Sequence, residues 1–261
     1  MSEVYVPYHE PNTVSILAGP CSVESVEQFD EVAQCLSELG LTWIRGGAFK
    51  PRTSPYSFQG LGMDGVQIMA DAGKKYGLKT LTEVVDTTHV QAVHDLVDGL
   101  QIGTRNMANF ELLKVIGKVT EQSHKAVLFK RGMAASIDEW LSAVEYITQF
   151  GNPNIMLCER GIRTFETATR FTLDISAVPV VHQRSMLPIC VDVSHPAGQT
   201  ALIPSLAKAA IAAGADSIMI EVHPDPKKAK SDAAQQLTLP QFEELLAELK
   251  DVAAAVGKRI I

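Results

Sequence analysis

Within ten residues the chain places Arg45, Gly46, Gly47, Lys50, Pro51, Arg52, Thr53 and Ser54, directly after an apolar run. Arginine offers a planar fork to an oxyanion and lysine a mobile point charge. Thr53 and Ser54 add short donors, and Pro51 restrains the backbone between the two cations. This is phosphate-binding chemistry. A second set is scattered more widely: Cys21, His195, Glu221 and Asp232 supply a thiolate, an imidazole and two carboxylates. One soft ligand with three harder ones suits Mn, Fe, Co or Zn, whereas magnesium or calcium would not take the sulfur. Each member also has a plainer reading, as a buried thiol, a turn histidine or a salt-bridge carboxylate.

Positioning such groups requires a frame, and the frame is written as alternation. Eight short apolar runs read as strands: 15–21, 43–49, 79–85, 100–105, 126–130, 155–159, 188–194 and 217–222. Each is nearly continuous in apolar residues before a polar end, as in a parallel sheet buried on both faces. Helical patterns such as 26–39, 64–76, 137–150 and 202–213 lie between them, several closed by glycine at 40, 77, 151 and 214, and 239–256 completes the count. Eight βα units in about 250 residues predict a TIM (β/α)8 barrel, with the site on the loops after the strands. An open doubly wound sheet is the runner-up. Residues 1–14 read as an N-terminal arm or barrel plug, and 15–261 as one catalytic barrel.

The strand ends deliver Cys21, Arg45 with Lys50 and Arg52, Glu83, Arg105, Lys130, Glu159 with Arg160, His195 and Glu221. If they only paired with one another, the cations would outnumber Glu83 and Glu159, so the surplus calls for anionic ligands. A formal charge of −7 argues against nucleic acid as a general partner. The chain has no membrane-length apolar run, and its N-terminus lacks a basic and apolar signal, so a cytoplasmic protein without membrane contact is expected. The four cysteines have no CxxC spacing. Cys35, Cys158 and Cys190 read as reduced core residues. His89, His94 and His124 have no partner pattern. Gly60, Gly62 and Gly65 fit a GxGxxG spacing, with Glu83 after the next strand as a ribose-binding acid would be. The dinucleotide fingerprint needs its glycines directly off a strand, and here the cationic loop intervenes, so the glycines are expected to loosen a long loop.

GPCSVES, RGGAFKPRTSPYSFQGLG, IGTRNMANFELLK, FKRGMAASIDEW, CERGIRTFE, DVSHPAG and IEVHPDPKKAKSDAAQQL occur in that order. With them the chain resembles the 3-deoxy-D-arabino-heptulosonate 7-phosphate (DAHP) synthases, in the short branch related to 3-deoxy-octulosonate 8-phosphate synthase. The resemblance implies a barrel that condenses phosphoenolpyruvate with erythrose 4-phosphate and releases phosphate at the entry to the shikimate pathway. It implies a divalent metal on Cys21, His195, Glu221 and Asp232. It places phosphoenolpyruvate on Arg105, Lys130 and Arg160 with Arg45 and Lys50 beside them, and erythrose 4-phosphate on Lys50, Pro51, Arg52 and Thr53. Lys50, Glu83, Lys130 and His195 are the expected catalytic residues, with Glu83 or a metal-held water handling the proton of the water that adds. The sister synthase carries KANRS where this chain has KPRTS, which favours the four-carbon acceptor; arabinose 5-phosphate as acceptor is the alternative, and a non-catalytic phosphoenolpyruvate-binding barrel a remote one. Phe171, Gln199 and Ala233 depart from the residues common at those positions. Relatives imply a homotetramer or homodimer, and the length leaves no room for an appended regulatory domain.

Overall fold

The computed structural model describes residues 10–51 and 54–261. Eight parallel strands form a closed barrel: β1 (Thr13–Gly19), β2 (Trp43–Arg45), β3 (Lys79–Val84), β4 (Gly99–Ile102), β5 (Ala126–Lys130), β6 (Ile155–Glu159), β7 (Ile189–Asp192) and β8 (Ser217–Glu221). Neighbours pair in sequence order, and β1 closes the ring by pairing with both β8 and β2. This is the TIM barrel, and it removes the open sheet and with it the dinucleotide reading. A two-residue strand, β9 (Arg259–Ile260), pairs in parallel with Thr13 and Val14 at the start of β1. The helices are α1 (Val26–Glu38), α2 (Met63–Tyr76), α3 (Val90–Leu96), α4 (Phe110–Thr120), α5 (Ile137–Thr148), α6 (Ala177–Arg184), α7 (Ser194–Ala197), α8 (Ile203–Ala212) and α9 (Leu239–Ala255). Local chemistry starts several of them. Ser25 caps α1, while Ser136 with Glu139 and Thr238 with Gln241 close capping boxes on α5 and α9.

Two cores result. The larger fills the space between the sheet and the helices, and the smaller plugs the barrel interior with Leu17, Trp43, Leu81, Ala126, Leu128, Met156, Cys158, Cys190 and Met219. Side chains alternate along a strand, so the residue two positions beyond an interior one also points inward. That rule builds the polar layer above the plug: Arg45 follows Trp43, Glu83 follows Leu81, Lys130 follows Leu128, Arg160 follows Cys158, Asp192 follows Cys190 and Glu221 follows Met219.

Differences from the expected elements lie at strand ends. The second strand stops at Arg45 rather than Phe49, because Gly46 and Gly47 let the chain pass under Val23, Phe29 and Cys21, where a Cβ would collide. Beyond them, Lys50 N–H donates to Gln59 O (2.9 Å) and Gly62 N–H to Ala48 O (3.0 Å), so the loop folds back on itself. Gly60, at φ +92°, bridges Phe49, and Gly62 caps α2. These glycines therefore fasten the loop rather than loosen it. The seventh strand ends at Asp192, since Ser194 already opens α7. β1 begins at Thr13, within the expected arm, of which residues 1–9 lie outside the described residues. None of the described helices is long and apolar enough to cross a membrane.

Candidate active site

A cavity of about 310 Å³ opens at the C-terminal ends of the strands, lined among others by Lys50, Pro51, Glu83, Arg105, Lys130 and Arg160. His195, Asp232 and Arg170 also reach it. The walls are polar in part because β3, β5 and β6 contribute Glu83, Lys130 and Arg160, the first inward residues above the apolar plug.

On one side the donor atoms of Cys21, Glu221 and Asp232 lie within 4.8 Å of one another. Cys21 lies two residues beyond β1, Glu221 ends β8, and Asp232 sits in the loop beyond it at φ +46°. His195 arrives on α7. Its Nε2 stands 3.7 Å from Glu221 Oε1 and 4.0 Å from Asp232 Oδ2. Three of the four residues anticipated as ligands thus form one close group with the imidazole beside its carboxylates, and a thiol, an imidazole and two carboxylates are donors that suit a divalent transition metal. Two glutamines hold the loop in place. Gln236 Oε1 accepts from Cys21 N–H (2.9 Å), and Gln235 Nε2 donates to Glu221 Oε2 (2.7 Å).

The electrostatics follow from burial and pairing. Burial, reinforced by Glu221, pushes the Cys21 thiol up to about 12, so without a metal it stays protonated and its Sγ lies 3.4 Å from Asp232 Oδ2. Burial works against the Asp232 carboxylate, but Arg170, His195 and Lys50 outweigh it and hold the carboxyl down at about 2. Arg170 reaches Asp232 Oδ2 at 3.3 Å and donates to Gln235 Oε1 at 2.6 Å.

Asp192, fully buried, joins this cluster to the cations. Lys130 Nζ donates to its Oδ2 at 2.6 Å, and His195 N–H donates to its Oδ1 at 3.1 Å. His195 Nδ1 lies 2.7 Å from Oδ2 but off the hydrogen-bonding axis. Although burial opposes its charge, His195 and Lys130 together hold the Asp192 carboxyl well below the usual range. A carboxylate beside Nδ1 favours the proton on that nitrogen and leaves the Nε2 lone pair facing Glu221 and Asp232. Burial holds the imidazole's pKa below its ordinary value despite Asp192, which further favours the neutral ring.

Placement of the expected anion-holding cations varies. Lys50 Nζ contacts Cys21 O (2.9 Å) and Sγ (3.1 Å), and its third donor is left for the cavity. Arg45 does not line the cavity. It lies beneath the cluster, donating to Pro20 O (2.6 Å) and to Glu221 Oε1 (3.3 Å). Arg105 is exposed at the rim, and Arg160 is buried without a carboxylate partner among the described residues. Arg52 and Thr53 fall outside the described residues. Glu159, expected to offset site cations, points the other way: it accepts from Arg131 (2.9 Å) and from Gly161 N–H (2.7 Å). Glu83 lines the cavity with Oε2 held by Gln101 Nε2 at 3.2 Å.

Sequence reading passed over Asp192, Arg170, Gln101, Gln235 and Gln236. The two-residue step from Cys190 would have found Asp192, and from Gly99 it would have found Gln101. For Arg170, Gln235 and Gln236 no local signal exists.

The DAHP synthetase I family matches residues 10–258. A phospho-2-dehydro-3-deoxyheptonate aldolase of Thermotoga maritima is 51% identical over 94% of this chain and 72% of its own length. A 2-dehydro-3-deoxyphosphooctonate aldolase of Caulobacter vibrioides is 32% identical over 90% of this chain and 86% of its own. Among solved structures, the Thermotoga maritima DAHP synthase superposes with a TM-score of 0.92 at 48% identity, over 97% of this chain and 72% of that one. A truncated form of the Thermotoga maritima 3-deoxy-D-arabino-heptulosonate 7-phosphate synthase gives 0.89 at 45% identity, over 97% and 91%.

Proposed function

The chain belongs to the DAHP synthetase I family, and from that premise we propose that it is a metal-dependent synthase joining phosphoenolpyruvate to erythrose 4-phosphate. The observation that carries this reading is that the Cys21, Glu221 and Asp232 cluster, with His195 Nε2 within 4.0 Å of both carboxylates, borders the cavity lined by Lys50, Lys130 and Arg160. Carbon 3 of phosphoenolpyruvate bonds to the aldehyde carbon, water adds at carbon 2, and phosphate leaves. The chemistry requires two anions to be held face to face and a proton to be moved.

Cys21, His195, Glu221 and Asp232 would hold Mn, Fe, Co or Zn, which when bound supplies Lewis acidity toward the aldehyde. The remaining work falls to the chain. Lys130 stays charged although buried, because Asp192 more than offsets the loss of water around it, and with Arg160 and Arg105 it binds the carboxylate and phosphate of phosphoenolpyruvate. Lys50 bridges the two substrates. Pro51 shapes the loop whose Arg52 and Thr53 take the phosphate of the sugar. Arg45 serves phosphoenolpyruvate indirectly, by fixing Glu221. Glu83, with one oxygen held by Gln101, offers the other to the water that adds at carbon 2. Orientation and electrostatic stabilisation carry the rate, and no covalent intermediate with the protein is needed.

The test follows the enol absorbance of phosphoenolpyruvate with Mn²⁺ and either erythrose 4-phosphate or arabinose 5-phosphate, with and without EDTA. Loss that depends on erythrose 4-phosphate and is abolished by EDTA is expected. Preference for arabinose 5-phosphate would move the protein to the octulosonate activity, and no loss with either would leave only binding. Cys21→Ala should lose both turnover and bound metal by elemental analysis while keeping its circular dichroism. Full activity in a metal-free variant would remove the metal assignment. A homo-oligomer is expected by light scattering.

A further inference from the structure

Arg160 is an unusual cation. Its side chain is buried, with 5% of the residue exposed, yet it has no carboxylate partner among the described residues, and its hydrogen bond to protein is to the adjacent Gly161 O at 3.3 Å. A guanidinium in that position is costly to bury, and one 3.3 Å hydrogen bond does little to orient a group that must meet an anion in one orientation. What lies against it is an aromatic ring: the Arg160 guanidinium carbon is 4.1 Å from the centroid of Phe171.

The backbone fixes that ring. The chain leaves β6, loops outward, and returns through an antiparallel bridge in which Ile162 N–H donates to Thr172 O (2.9 Å) and Thr172 N–H to Ile162 O (3.0 Å). Between them Phe171 N–H donates to Pro196 O at 3.1 Å, tying the ring to α7, the helix that carries His195. Gly161, at φ +89°, allows the approach, since a Cβ there would stand 2.7 Å from Phe171 Cβ and 2.9 Å from Pro196 Cβ. The ring forms part of the cavity wall, and Arg170 lies 5.9 Å from it.

We propose that Phe171 is a positioning residue, whose ring face stands in for a counter-ion to Arg160 and holds its N–H fork toward the cavity. A carboxylate partner would compete with the substrate anion for that fork. An aromatic face attracts the cation without taking any N–H donor, so those not donated to Gly161 O stay available. The proposal rests on the reading of Arg160 as a phosphoenolpyruvate ligand, and it adds the residue through which that ligand is aimed.

The experiment measures phosphoenolpyruvate affinity of the Mn²⁺-loaded protein by calorimetry without acceptor, together with KM for both substrates and kcat. Phe171→Leu keeps apolar bulk but lacks the ring face, and Phe171→Tyr keeps the face. The leucine variant should bind phosphoenolpyruvate about 5- to 30-fold more weakly, the range of a desolvated cation–π contact, with kcat and the KM for erythrose 4-phosphate within about twofold. The tyrosine variant should restore wild-type affinity. In an Arg160→Ala background, Phe171→Leu should produce no further loss. Wild-type affinity in Phe171→Leu, or an equal loss with and without Arg160, would overturn the positioning role. If Arg160→Ala alone left phosphoenolpyruvate binding unchanged, the ligand assignment beneath the proposal would fall, a result separable from the others.

Discussion

At Asp192 one carboxylate serves two neighbours that cannot do without it. Lys130 is buried against its Oδ2, and the His195 ring lies beside the same oxygen. Replacing Asp192 with Asn would leave the Lys130 charge without a partner, a loss of about 3–5 kcal/mol by comparison with other broken buried pairs. The pH dependence has a definite sign. The folded carboxyl titrates well below its ordinary value of 3.8, so its contribution is full above that value and is lost as the pH falls through the folded one. In calorimetric melts with EDTA from pH 7 to pH 2, the Asp192→Asn protein should therefore melt lower at neutral pH by an amount that holds down to about pH 4, and the gap should narrow only below it. A gap independent of pH would mean that the carboxylate charge is not what matters. Of the residues around it, Lys130 and His195 were legible from their positions at strand ends. Asp192 was not, because the apolar run continues past it to residue 194, and only the interior parity marks it as the inward residue that ends the strand.

The elements set how accurately these groups are held, and the joints between strand and loop matter most. Gly103, which follows β4 at φ −70°, has ordinary backbone geometry, so alanine fits its conformation. A Cβ there would nevertheless overlap Glu83 Oε1. Since that oxygen ends a flexible side chain, Gly103→Ala should displace the carboxylate rather than the backbone. Stability should change by under about 1 kcal/mol, while kcat drops about 10²-fold, the lower range for losing an acid–base group, matching Glu83→Gln. Unchanged kcat in Gly103→Ala, with a crystal structure showing Glu83 moved, would exclude Glu83 from the proton step. Boundaries at this scale were partly legible. Glycines at 40, 77, 151 and 214 marked helix ends correctly, whereas Gly46 and Gly47 read as part of an anion loop and turned out to cut β2 to three residues. A glycine that permits close packing cannot be told from one that permits flexibility until its neighbours are known.

Across the whole molecule the barrel separates stability from chemistry by face. The end opposite the cavity is tied by Lys258, whose Nζ donates to Gly214 O (2.7 Å) and Ala215 O (2.9 Å) and lies 3.3 Å from Asp216 Oδ1. Asp216 also holds His182 at 2.8 Å and Ile189 N–H at 2.9 Å, so the C-terminal segment, α6 and β7 meet at one point. Lys258→Met should lower stability by about 1–3 kcal/mol through the carbonyls left without a donor, measured by urea unfolding, and leave kcat/KM unchanged. A loss of activity in the folded variant would show that the two faces are coupled.

The chain's alternation of apolar runs and helical periods determined an eight-unit barrel, and the polar residue ending each run determined which side chains could reach a common mouth. Both are local patterns, set by strand parity and helix period, and so are readable along one dimension. Which cations are available to a ligand was decided only in three dimensions. Arg45, Lys130 and Arg160 are alike as strand-end cations, yet one is committed to Glu221, one to Asp192, and one to an aromatic ring from a returning loop. Charge compensation acts through space between elements far apart in the chain, and no spacing in the sequence encodes which partner a buried charge will meet.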